Sequence, residues 1–140
     1  MTEGWLPPYA YVPGQTERHP EEVFDGIKAG VSDGLGVGEL FQTEAWCVGL
    51  RCFEEGYFWE AHELWEPVWM ACAPNSGERL LVQAVIQLAN AGLKSRMGRD
   101  GAKTRLLQQA DALFAEAVLR RASSPDTLDW SRLRMHIYAL

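Results

Sequence analysis

Residues 77–97 read Gly77-Glu78-Arg79-Leu80-Leu81-Val82-Gln83-Ala84-Val85-Ile86-Gln87-Leu88-Ala89-Asn90-Ala91-Gly92-Leu93-Lys94-Ser95-Arg96-Met97. The apolar side chains cover most of a helical circumference, and a helix apolar nearly all round is one that its neighbours bury. Polar residues interrupt that surface along one line. Arg79, Gln83, Gln87, Asn90 and Lys94 collapse onto a stripe about 80° wide. The stretch predicts a central helix with a single hydrophilic edge.

Immediately upstream, residues 56–69 read Gly-Tyr-Phe-Trp-Glu-Ala-His-Glu-Leu-Trp-Glu-Pro-Val-Trp. The run predicts a helix over about 57–72. On it His62 and Glu66 project about 40° apart, because positions four apart are neighbours. Phe58, Trp59, Trp65 and Trp69 fall within about 60° of His62 on the same projection. An imidazole–carboxylate pair walled by aromatics is a setting that shifts proton affinity. Pro67 cannot donate to the carbonyl of Glu63, so a kink or restart is expected there.

Further out, Ala45, Trp46, Val48, Gly49, Cys52 and Phe53 give a helical stripe over 40–55, with Gly56 as its stop. Residues 21–31 read as a short helix, and the glycines between Ser32 and Gly38 as a loop. Residues 101–121 form the last long helix, with Asp100 as its cap, and 123–140 a C-terminal extension with a short helical turn or two. Pro7, Pro8, Pro13 and Pro20, interleaved with Trp5, Tyr9 and Tyr11, make 1–20 an extended arm that packs on the body. No period-two alternation of useful length occurs. The expectation is a single all-α domain over 1–140, a bundle of about five helices around a central hydrophobic one.

Bulk properties narrow the function. A formal charge of -6 argues against a nucleic-acid binder, which needs a basic face. No apolar run approaches a membrane span, and no secretory signal is visible. Cys47, Cys52 and Cys72 form no C-x-x-C pair and read as reduced, packed thiols, which suits the cytoplasm.

With these residues in view, the chain resembles domain-of-unknown-function family 309, a group of small helical proteins of bacteria and archaea. The resemblance rests on Gly56 to Glu66 with Trp69, on Arg79 to Ala89, and on Gly101-Ala102 followed by Arg105-Leu106-Leu107. It implies a compact helix bundle of cytoplasmic location, and little about activity. Its signature positions are His62, Glu63, Glu66, Trp69, Arg79 and Gln87. This chain departs from it at Glu54 or Glu55, where relatives carry Asn, and at Ala84, where they carry Gly.

Three function classes remain open. In the first, a pocket between the two central helices binds a small polar or anionic ligand and performs acid/base chemistry. His62 handles the proton, Glu66 orients it and Glu63 is a second carboxylate. Trp59, Trp69, Arg79, Gln83, Gln87 and Asn90 contact the ligand. In the second, His62, Glu66 and Arg79 are a buried structural network in a homodimer, with the arm lying across the partner. The third is a metal-binding protein. His-Glu-x-x-Glu recasts the zinc-protease helix with its second imidazole replaced, but the chain is short of further ligands, so neither metal nor cofactor is expected.

Overall fold

The computed structural model describes residues 5–140; residues 1–4 of the expected arm lie outside them. Among the described residues there are seven α-helices and no strand. A 3-10 turn, Glu21–Phe24, leads into α1 (Asp25–Lys28). Next come α2 (Val37–Leu40), α3 (Glu44–Glu54) and α4 (Phe58–Ala71). The last three are α5 (Gly77–Arg96), α6 (Asp100–Leu119) and α7 (Trp130–Tyr138).

The helices beyond the expected five arise from local capping. Thr43 cuts the segment expected to run over 40–55, because its hydroxyl accepts from the Trp46 amide and starts α3 afresh at Glu44. What precedes it becomes α2, where the Glu39 carboxylate folds back onto the Gly36 amide at 3.1 Å. The C-terminal extension is a nine-residue helix because Asp129 caps it, accepting from the Arg132 amide. Gly56 ends α3 as expected, in the left-handed region at φ +84°. Pro67 does not restart α4, which continues from Phe58 to Ala71.

The core is aromatic and layered. Trp46 and Phe53 of α3 meet Trp65 and Phe58 of α4, and all four are essentially without exposure. The Trp65 indole donates to the carbonyl of Trp46 at 3.2 Å, so even this polar atom is satisfied inside. Two glycines permit the approach. A Cβ on Gly49 would run into the Trp65 indole, and one on Gly92 would lie 2.8 Å from the Phe58 ring. As its composition predicts, α5 is central, packing against α4, α6 and α7.

The arm lies on the body. Trp5 meets Phe24 edge-on at 5.9 Å and Tyr11 meets Trp59 at 5.1 Å. Val12 is buried, and Gln15 donates to the carbonyl of Arg96 at 2.8 Å.

Candidate functional site

The core face of α4 is set by Ala61, Leu64, Trp65 and Val68, all with no exposure. His62, Glu63 and Glu66 are therefore carried on the opposite, outer edge of the helix. His62 lies between the two carboxylates. Its Nδ1 is 3.7 Å from Glu63 and its Nε2 is 3.2 Å from Glu66, while its side chain keeps 25% exposure. Glu63 has a second partner in Lys28, whose Nζ donates at 3.2 Å. One donor atom from each of His62, Glu63 and Glu66 falls within 4.8 Å of the others. The partly exposed imidazole turns both ring nitrogens toward acids, and the three side chains together have the chemistry of a divalent-cation donor set.

The other expected ligand contacts divide into separate groups. Arg79 sits over the Trp69 ring at 4.2 Å and donates to the carbonyl of Cys72 at 3.3 Å. It faces no carboxylate among the described residues; the cation beside this acid cluster is Lys28. Arg79 and Gln83 line a hollow of about 510 Å³ at the start of α5, together with Asn75, Ser76 and Arg120. The Ser76 hydroxyl caps α5 there, accepting from the Arg79 amide at 3.1 Å. Trp69, one helical turn beyond Glu66, lies under Arg79, and its Nε1 is buried without a partner. Gln87 and Asn90 pair with each other, the Asn90 amide donating at 2.9 Å.

The aromatic wall expected around His62 does not form, because its four residues are dispersed and Trp69 lies under Arg79. Phe58 and Trp65 are in the core, and Trp59 turns toward the arm. There His19, from the arm, contacts Glu60 at 2.6 Å, with both side chains almost wholly buried. Tyr9, Trp59 and Phe24 surround the His19 ring at 4.7, 6.0 and 6.5 Å. Neither His19 nor Glu60 stands out in the sequence. One signal is there: Glu60 falls in phase with Ala61, Leu64, Trp65 and Val68, and a carboxylate in the apolar phase of a helix needs a buried partner.

Below Glu60, Cys52 is fully buried, and burial, with the Glu60 charge adding to it and Arg51 opposing, pushes its thiol up to about 12. Cys72 is raised to about 11, by burial first, with Arg79 opposing. Both remain protonated near neutrality and are packing residues rather than nucleophiles.

Residues 47–106 match the model of the family described as Domain of unknown function (DUF309), the family the sequence resembles. The matched segment contains α4, α5 and the three-residue cluster. No curated protein and no solved structure matches the chain. Among the described residues no helix is long and apolar enough to cross a membrane.

Proposed function

We propose that this chain, whose residues 47–106 match the DUF309 model, binds a small polar or anionic ligand along the outer edges of α4 and α5, and that His62 exchanges a proton there. One observation carries the reading: the His62 ring has an acid within 4 Å on each nitrogen side yet stays open to solvent. In this reading Glu66 fixes the ring, as a carboxylate four residues along the same helix does. Glu63 is the second acid, its charge offset by Lys28. Arg79, Gln83 and Arg120 seat the anionic part of the ligand in the hollow at the start of α5. Trp69, Gln87 and Asn90 complete the ligand-facing set, whereas Trp59 is turned toward the arm and lies outside it. The free thiols suit a cytoplasmic setting. A homodimer is part of the proposal, supported by the exposed Val118, Leu119, Met135 and Tyr138.

The experiment is nuclear magnetic resonance of the His62 ring and of the α5 amides during titration with inorganic phosphate. Saturable shifts at Arg79 and Gln83 that vanish in Arg79→Gln support the anion seat. A displaced His62 titration curve in Glu66→Gln supports the proton role. Flat amide shifts would remove the anion seat, and an unchanged His62 curve would remove the dyad.

The convergence of three donor atoms within 4.8 Å favours a second reading, a divalent cation on His62, Glu63 and Glu66. Lys28 on Glu63 opposes it. Added zinc tests it: a rise in melting temperature that is lost in both His62→Ala and Glu66→Gln supports this reading, and no rise retires it.

A further inference from the structure

Glu60 has no solvent exposure. Its Oε2 accepts from the Tyr11 amide at 2.6 Å and lies 2.6 Å from His19 Nε2. Its Oε1 is buried and has no partner. A carboxylate half-satisfied in an apolar interior is costly unless a cation faces it. The rings around the His19 imidazole that meets it are Trp59 on α4, Phe24 on the 3-10 turn and Tyr9 on the arm. An aromatic ring face beside a carboxylate favours a positively charged nitrogen, because the ring quadrupole presents negative potential to it. The group in that position is the His19 ring.

The receptor and its occupant come from different parts of the chain. The body supplies the carboxylate, Trp59 and Phe24, whereas the extended arm supplies the imidazole. Other groups near the acid do not replace it. Arg18 lies over the Trp59 ring at 5.8 Å, Lys28 is on Glu63, and the Cys52 thiol is protonated. We propose that Glu60, Trp59 and Phe24 form a binding site for a cationic nitrogen base, an imidazolium or a protonated amine, and that His19 fills it as a built-in ligand. The site is separate from the His62 edge, since residues 60 and 62 project about 160° apart on α4. A cationic base carried by another molecule competes with the arm for this seat, so an arm lifted away leaves a preformed receptor.

The test empties the seat in the full-length chain. In His19→Ala, millimolar imidazole should raise the melting temperature saturably and restore protection of the arm against proteolysis. Thiophene, of similar size but without an N–H group or charge, should do neither. Adding Glu60→Gln should weaken imidazole binding by about tenfold or more, since a charged acceptor becomes a neutral one. Where His19→Ala does not fold alone, recovery of folded protein is compared with and without imidazole during refolding. Imidazole-dependent recovery supports the proposal. No saturable response, an equal response to thiophene, an unchanged affinity after Glu60→Gln, or equal refolding yields overturns it.

Discussion

Two glutamates on one helix, Glu60 and Glu66, meet opposite fates, and the difference is exposure. Glu60 is sealed beneath the arm, whereas the Glu66 side chain keeps 52% of its surface. Glu60→Ala strands the His19 nitrogen and the Tyr11 amide without their acceptor, and breaking a buried pair in this way costs about 3–5 kcal/mol. His62→Ala removes only half-exposed contacts, and a change within about 1 kcal/mol is expected. Urea unfolding of the two variants checks the contrast; equal losses would mean that His62 is a structural residue. The cysteines supply a pH dependence with a definite sign. Cys52 and Cys72 have folded values of about 12 and 11 against an ordinary 9.0. Above pH 9 the unfolded thiols ionise while the folded ones hold their protons, so the unfolded state binds fewer protons and stability falls as pH rises. Stability intact below about pH 9 should decline from there toward pH 12. The urea midpoint should fall across that range, and less steeply in Cys52→Ala.

At the scale of the element, the helices are legible in the sequence wherever apolar spacing persists over several turns. The α5 composition gives away its central place, and the apolar spacing over 44–54 gives away α3. The short elements are not legible, because a single hydroxyl or carboxylate decides them: Thr43 separates α2 from α3, and Asp129 converts a tail into α7. Orientation about the helix axis is also lost. The projection groups Phe58 and Trp65 with His62, but it cannot say which side of a wide apolar arc faces the core, and packing takes both rings inward. Gly49 and Gly92 hold the reason that α3, α4 and α5 approach so closely. Alanine normally gains about 1 kcal/mol over glycine inside a helix. At Gly49 and Gly92 the added methyl meets the rigid rings of Trp65 and Phe58, so each Gly→Ala change should instead destabilise by about 1–3 kcal/mol. Gly101, in the first turn of α6, has nothing within 4 Å of such a methyl. Gly101→Ala should be neutral or stabilising, and thermal melts of the three variants separate close packing from propensity.

For the whole molecule, the decisive relation is between the arm and α4, and it explains why half of the site escapes the sequence. His62, Glu63 and Glu66 are local, so helical spacing alone brings them together. The contact between residues 19 and 60 depends on the path of a proline-rich segment, which no periodicity encodes. The two parts of the chain are thus thermodynamically coupled: the arm's imidazole makes Glu60 tolerable, and Glu60 gives the arm a buried polar anchor. Coupling of this kind shows itself as non-additivity between changes at the two ends. In the full chain, Glu60→Leu leaves His19 and the Tyr11 amide facing a hydrocarbon, so it destabilises. In a chain lacking residues 1–19 those groups are gone. There the same change acts on a carboxylate that water reaches, so it should cost much less. Urea midpoints of the four proteins, the full and the shortened chain each with and without Glu60→Leu, form a closed cycle in which the substitution is costly in the full chain and nearly neutral in the shortened one. An effect of the same sign and size in both backgrounds would mean that the arm and Glu60 do not sense each other, and that the pair between them contributes nothing to holding the fold.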